Sequence, residues 1–348
     1  MNFQKKLLDW FKENRRAFPW RENAEPYNVW LSEIILQQTR AAQGLPYYES
    51  FIFNFPRVEQ LAAAKEDHIM KLWQGLGYYS RARNLHATAK IINDQYKGRF
   101  PTDFDQIKAL KGVGDYTASA IASICFGQEQ AVVDGNVYRV LSRIFGMDQP
   151  IDVSSAYKIY KEKAQVLMKG APSGDFNQAM MEFGALQCVP KNPNCQDCIF
   201  KTECVAFQQA KVSLLPIKVK KVKVKNRYLH YFVLIDKSKN TLLQKREGKG
   251  IWQNLYQFPL IETFAKQKYY QDDQLELLMA KHRITSDFEV DKWNDQPIFH
   301  KLTHQHLEIN FWIVKLREGT NLDTSMSQIQ DYPMPKVLQN FRDKFFIN

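Results

Sequence analysis

Apolar positions recur at helical spacing through the first two hundred residues, in the stretches 7–11, 30–36, 61–72, 85–92, 107–110, 118–124 and 137–144. Gly, Pro and Asn punctuate the intervals between them. The pattern therefore predicts a mostly α-helical N-terminal part. After Cys204 the character changes. Residues 216–226 read PIKVKKVKVKN, basic and without glycine, and then period-two alternation begins at 228–235, 241–245 and 306–314. Gly248, Gly250 and Pro259 break up the segment between. This places a helical domain at 1–215, a basic linker at 216–226 and an α+β domain at 227–348. The Lys/Val stretch reads either as a linker or as an edge strand, since lysines suit exposed edges. Phosphate contact is an alternative role for it. No internal repeat or low-complexity tract is present.

Composition narrows the picture. A chain of 348 residues accommodates two domains of roughly 150 each. With 45% hydrophobic residues, including 23 Phe and 16 Tyr, both can build a core. The net charge of +11 fits a polyanionic partner, most simply nucleic acid, or a generally solvated basic surface. Residues 1–16 are too charged for a secretory signal, and no apolar run reaches the roughly 18 residues of a membrane span. A soluble, cytoplasmic protein is expected, without membrane contact.

Four of the five cysteines, Cys188, Cys195, Cys198 and Cys204, crowd into seventeen positions, separated by six, two and five residues. A disulfide scaffold would spread them through a small secreted chain. Zinc sites pair two short knuckles or add histidine, whereas no histidine lies within this run. Four thiolates closing on one centre suit a cuboidal iron–sulfur cluster, with zinc the alternative. The spacing also resembles the 4Fe–4S loop of the endonuclease III superfamily of DNA repair enzymes. Cys125, in an Ala/Ser/Ile helix, reads as a buried core thiol.

Residues 110–122 read LKGVGDYTASAIA. A helix over 104–110 would meet a turn carrying Gly112 and Gly114, with a second helix following. The glycines permit positive φ and close backbone approach, and free amides at the helix start can hold a phosphate oxygen. The segment resembles a helix-hairpin-helix motif, against the plainer reading of a helix–helix turn. In 131–140, AVVDGNVYRV, Asp134 follows an apolar run and opens a helix. It suits an N-cap, and equally a carboxylate facing DNA. In 30–40, WLSEIILQQTR, Trp30, Leu31, Ile34 and Ile35 mark a buried face. Glu33, Gln37 and Arg40 form the other stripe, which by itself reads as a solvated face.

The SE-x-x-LQQT stretch resembles one branch of the superfamily, the MutY-type adenine DNA glycosylases. The resemblance extends over nearly the whole chain and implies roles. Glu33 would be the general acid and Asp134 the second catalytic carboxylate, oriented by Asn136. Tyr116 stands where bifunctional members carry a Schiff-base lysine, so hydrolysis without strong lyase activity is implied. Gly112 and Gly114 would hold phosphate. In 75–85, GLGYYSRARNL, Tyr78 would be a wedge in the base stack, with Arg81 and Arg83 near phosphates. The other expected contacts with DNA are Gln38, Thr39 and Leu76, with Gln38 and Leu76 filling space around the base left behind. Arg21, in FPWR, would contact the extruded adenine, with Gln178 nearby. Tyr78, Arg81 and Arg83 read equally as ordinary packing.

The C-terminal part resembles the NUDIX-like domain of the same enzymes. The hydrolase box is absent, residues 262–276 reading ETFAKQKYYQDDQLE, so recognition rather than pyrophosphate hydrolysis is expected. Within 301–307, KLTHQHL, the positions Leu302, Thr303 and His304 match the family's Phe-Ser-His loop for 8-oxoguanine, with Leu in place of Phe. Alternatively, His304 is a strand-end histidine. The implied fold class is mostly α: a two-part helix-hairpin-helix glycosylase domain with an iron–sulfur loop, plus a C-terminal α+β NUDIX-like domain. The implied partner is duplex DNA containing A:8-oxoguanine or A:G mispairs, met by a monomer associated with a bacterial nucleoid. Two rival readings are an endonuclease III-type pyrimidine glycosylase/lyase and a non-enzymatic iron–sulfur DNA-binding redox module. Tyr116 and Glu33 argue against the first; Glu33 and Asp134 go unused in the second.

Overall fold

A computed structural model describes residues 3–220, 223–263, 265–266, 270–317 and 322–346. Residues 221 and 222 of the basic linker, and 264 and 267–269 of the segment tested for a hydrolase box, lie outside the described residues. Helices are α1 (Phe3–Asn14), α2 (Pro26–Leu36), α3 (Ala41–Asn54), α4 (Val58–Ala63), α5 (Glu66–Leu72), α6 (Ser80–Tyr96), α7 (Phe104–Lys108), α8 (Asp115–Phe126), α9 (Gly135–Phe145), α10 (Ala156–Met168), α11 (Ser173–Leu186), α12 (Val205–Gln208), α13 (Asp272–Lys281) and α14 (Lys336–Phe346). None is long and apolar enough to cross a membrane. The chain divides into two compact units. One comprises Met1–Ala64 with Arg83–Lys220, the other Lys65–Ala82 with Lys221–Asn348.

In the helical unit, the expected face of α2 is buried: Trp30, Leu31 and Ile35 are fully enclosed and Ile34 nearly so. α8 is enclosed from Thr117 to Ser123, which explains its small residues: only Ala and Ser let neighbouring helices approach from several sides. A second core joins α1, α9 and α11 through Phe3, Leu7, Phe11, Val137, Val140, Phe176 and Phe183. Phe3 stacks on Phe200 at 4.8 Å, tying the cysteine loop to α1. The apolar stretch 61–72 is two helices, broken where Ala64 turns extended (ψ 150°). Cys125 is partly rather than fully buried.

Strands of the second unit are β1 (Lys225–Ile235), β2 (Asn240–Thr241), β3 (Gln244–Lys245), β4 (Tyr256–Gln257), β5 (Leu260–Thr263), β6 (Phe288–Lys292), β7 (Ile298–Lys301), β8 (Gln305–Leu316) and β9 (Thr324–Ser325). The main sheet runs β5-β1-β8-β6, with β7 also on β8. β1 and β8 are parallel, in register from Lys225↔Gln305 to Ile235↔Lys315; the other pairs are antiparallel. The expected alternation fails in β1, which is buried continuously from Leu229 to Leu234. Both sheet faces are covered, and a strand covered on both faces has no solvent side. Phe311 stacks on Phe341 of α14 at 4.0 Å, while Phe232 and Trp312 join Leu275 and Leu278 of α13. Helix α5 belongs to this unit, and polar contacts join it to the strands. Lys245 Nζ donates to Asp67 at 2.6 Å, Tyr256 Oη to Asp67 at 3.0 Å and Asn254 Nδ2 to Glu66 at 2.5 Å.

Candidate active site

A cleft of about 1660 Å³ opens within the helical unit. It brings together nine of the residues singled out from sequence: Arg21, Glu33, Gln38, Thr39, Gly114, Tyr116, Asp134, Asn136 and Gln178.

Pro26 starts α2, and the helix presents Glu33 from the side away from its buried apolar face. Desolvation raises the Glu33 carboxyl from 4.5 to about 7. Interaction with the Tyr116 hydroxyl opposes this, the Asp134 charge reinforces it, and the Arg21 charge opposes it. Asp134 is both the N-cap of α9 and a wall of the cleft, so the two readings of this residue coincide. Its Oδ1 accepts the Asn136 N–H at 2.9 Å and the Val137 N–H at 2.8 Å, and its Oδ2 accepts Asn136 Nδ2 at 2.7 Å. Burial raises its pKa, while these donors and the Arg139 charge pull it back. The Tyr116 hydroxyl donates to Met181 Sδ at 3.3 Å and interacts with both carboxylates; burial pushes its pKa far up.

The hairpin between α7 and α8 uses its glycines differently. Gly112 has φ +77°, and a Cβ there would sit 2.6 Å from Asn84 Cβ. Gly114 departs from expectation: it is the extended N-cap of α8 (φ −88°), and a Cβ there would meet nothing within 4 Å. Its smallness is not required by the fold and leaves the helix start open. At the end of α2, Gln38 takes the left-handed conformation (φ 57°) with its side chain exposed. Thr39 is a turn residue, its N–H on the Leu36 carbonyl at 3.0 Å. Gln37 Nε2 ties this turn to α8 through Thr117 Oγ1 at 3.3 Å.

Arg21 also differs from expectation. Its guanidinium lines the cleft but is already committed to Glu182, at 3.1 Å and 3.2 Å, with the side chain only 11% exposed. Glu182 was not singled out in the sequence, although it lies one helical turn beyond Gln178 on α11. Arg139 and Arg143 of α9 were missed as well. Arg139 donates to the carbonyls of Cys188 (2.7 Å) and Gly184 (2.6 Å); Arg143 donates to those of Val189 (2.8 Å), Pro190 (3.0 Å) and Leu215 (3.1 Å). Two buried guanidiniums thus hold the cysteine loop.

In that loop Cys188, Cys195, Cys198 and Cys204 are electrostatic neighbours of one another. Burial raises Cys195 and Cys204 and pushes Cys198 to about 11. Arg143 Nη1 donates to Cys188 Sγ at 3.6 Å and the Phe200 N–H to Cys198 Sγ at 3.4 Å. As they stand, no three His, Cys, Asp or Glu side chains among the described residues converge closely enough to hold a metal ion. The donor set, four thiols with N–H donors aimed at two of the sulfurs, fits an iron–sulfur cluster.

The other candidates lie outside the cleft, among them Gly112 of the hairpin. In the second unit, Leu76 is buried, and Tyr78 is 46% exposed at φ 47°. Leu302, Thr303 and His304 form the turn between β7 and β8, with Thr303 and His304 exposed. The structure brings Tyr78 and Thr303 together, their hydroxyls 2.5 Å apart. Arg81 is not a surface cation: it is buried, donates to the Leu76 and Gly77 carbonyls, and lies 5.1 Å over Trp73. Arg83 is partly buried.

Two carboxylates thus share a cleft beside a helix hairpin. The model of the HhH-GPD superfamily of base excision DNA repair proteins matches residues 31–166, and that of the NUDIX domain matches 230–344. A solved thermostable thymine-DNA glycosylase is 31% identical and superposes with a TM-score of 0.55, covering 60% of this chain and 95% of that one. An endonuclease III–DNA complex, 21% identical over 60% of this chain and 98% of that one with a TM-score of 0.52, shares the fold. The adenine DNA glycosylase of Buchnera aphidicola subsp. Schizaphis graminum is 33% identical over 99% of this chain and 98% of its own length. That of Mus musculus is 40% identical over 62% of this chain and 44% of its own. The chain belongs to the adenine DNA glycosylase family.

Proposed function

We propose that this enzyme hydrolyses the N-glycosidic bond of adenine paired with 8-oxoguanine or guanine in duplex DNA, leaving the strand intact. The observation that carries the reading is one cleft holding a carboxyl raised to about 7, Glu33, beside a carboxylate fixed by three N–H donors, Asp134. Adenine flipped from the stack enters this cleft. Protonated Glu33 donates to adenine N7, turning the base into a better leaving group. The sugar becomes oxocarbenium-like as the bond breaks. Asp134, whose anion can accept all three N–H groups at once, stabilises that charge or adds to the anomeric carbon before water completes hydrolysis. Tyr116 offers a phenol where an amine would be needed for a Schiff base, so strand cleavage does not follow.

The open start of α8 at Gly114 suits a DNA phosphate, received by free amides and the helix dipole. Cys188, Cys195, Cys198 and Cys204 would hold a 4Fe–4S cluster. When bound, it crosslinks the loop that Arg139 and Arg143 brace and contributes no step of the hydrolysis. In this reading the stretch 1–215, less the segment 65–82 that packs with the C-terminal unit, is the catalytic domain, the stretch from 216 to the start of β1 at Lys225 a linker, and 227–348 the domain that meets the base opposite adenine.

The test is single-turnover base release from otherwise identical duplexes carrying A:8-oxoguanine, A:G, thymine glycol or uracil, each with and without hot alkali. Adenine release from the first two, with strand breaks only after alkali, is expected. Pyrimidine release, or nicking without alkali, overturns the reading. Iron analysis of the purified chain should find about four atoms per molecule, and one zinc without iron would replace the cluster assignment.

A further inference from the structure

One buried carboxylate on α11 organises the segment 15–21 that walls the cleft. Glu182 is 1% exposed. Its Oε1 accepts the Arg16 N–H at 3.0 Å, Arg16 Nε at 2.8 Å and Arg21 Nη1 at 3.2 Å. Its Oε2 accepts Arg16 Nη2 at 2.8 Å and Arg21 Nη2 at 3.1 Å. Arg21 Nη1 also donates to the Arg16 carbonyl at 3.0 Å. Both guanidiniums lie over the Phe18 ring, at 5.1 Å and 5.2 Å, and Phe18 stacks on Trp20 at 4.7 Å. Every lone pair that a carboxylate directs in its plane is thereby used within the wall.

Resting on the reading above, we propose that Glu182 is a positioning residue for base release. By clamping Arg16 and Arg21 it fixes the cleft wall and offsets the cationic charge held beside Glu33. Four groups act on Glu33 or feel its charge: Tyr116 and Cys125 from α8, Asp134 from the start of α9, and Arg21 from the short turn Pro19–Arg21. Of these only Arg21 is a cation, and its field favours the ionised form of Glu33. Glu182 opposes that field at contact distance from its source. Without it, an uncompensated guanidinium in a poorly solvated cleft would strip the proton from the acid at lower pH.

The test is the pH profile of single-turnover adenine release. In the wild type the rate should fall as pH rises through about 7, where Glu33 loses its proton. In Glu182→Gln the falling limb should move down by about one pH unit. Release at pH 8 then drops about tenfold further, while release at pH 5.5 stays within about threefold of wild type. Glu182→Asp, which keeps the charge, should restore the limb. A uniform loss with an unmoved limb would mean that Glu182 only supports the fold. If circular dichroism shows Glu182→Gln unfolded, Arg21→Met carries the test by removing the cation instead. Its limb should move to higher pH, and an unmoved or lowered limb overturns the proposal. Absence of adenine release by the wild type at every pH would sink the functional reading itself, an outcome distinct from an unshifted limb.

Discussion

Two glutamates of the helical unit are both pushed upward by burial, yet they end on opposite sides of the ordinary carboxylate value. Glu33 has no guanidinium bonded to it, and desolvation lifts it to about 7. Glu182 is at least as enclosed, yet hydrogen bonds from Arg16 and Arg21 overcome desolvation and hold it at about 2. The signs of the stability consequences differ accordingly. A raised carboxyl such as Glu33 gives stability that is complete below its ordinary 4.5 and lost as pH rises through about 7. The depressed carboxyl of Glu182 gives stability present above 4.5 and lost as pH falls toward about 2. Glu33→Gln should therefore cut adenine release by at least about a hundredfold, the usual scale for a lost general acid, without abolishing duplex binding. At pH 8 the same variant should be more stable than wild type by on the order of 1 to 2 kcal/mol, since Glu33 retains some solvent contact, and the gain should vanish near pH 5. Urea melts at the two pH values measure this. Near-normal release would remove Glu33 from the mechanism.

The elements differ in how plainly their residues announced them. The hairpin was legible because its signals are local: glycines at 112 and 114 next to a small-residue helix. Asp134 was legible for the same reason, an Asp that both ends an apolar run and opens α9. Arg139, Arg143 and Glu182 were not, because their partners are distant in the chain; Arg143 reaches the carbonyl of Leu215, 72 positions away. β1 misled because the alternation read at 228–235 does not become one buried and one solvent face when both sheet faces are covered, so even His230 is fully enclosed. The break at Ala64 carries no Gly or Pro to mark it. The hairpin also yields a paired expectation. Gly112→Ala forces a side chain into left-handed backbone and against Asn84, and should cost about 1 to 3 kcal/mol of stability. Gly114→Ala projects a methyl into open space, so it should melt within about 1 kcal/mol of wild type while weakening duplex binding several-fold, by crowding the phosphate at the start of α8. Thermal melts beside fluorescence anisotropy separate the two effects. A Gly114→Ala protein that binds DNA like wild type would remove that helix start from the contact surface.

For the whole molecule, the proposed function gives selectivity and chemistry to different units. Glu33 and Asp134 belong to the helical unit, while Tyr78, Thr303 and His304 belong to the other. The oxidised base differs from guanine at its imidazole edge, where N7 gains a hydrogen and C8 an oxygen. In the proposed reading the Thr303 hydroxyl, able to donate or accept, would meet that edge, with His304 exposed beside it. Removing both groups, as Thr303→Ala with His304→Ala, should weaken binding and processing of A:8-oxoguanine roughly tenfold more than of A:G. Single-turnover release at saturating enzyme should suffer less than affinity. Equal losses on the two duplexes, measured side by side, would reduce the turn to a general DNA contact.

The placement of Lys65–Ala82 with residues 221–348 means that the chain passes from one unit to the other three times. Glu66 and Asp67 meet Asn254, Lys245 and Tyr256 within that second unit, and Tyr78 meets Thr303. A recombination event joining a foreign C-terminal half at residue 220 would import one side of each pair and leave the other behind. The newcomer would have to supply a cation for Asp67 and a hydroxyl for Tyr78, in the same places, at once. A chimera joined where the composition changes would therefore lose these contacts unless its new segment supplied both partners in the same places.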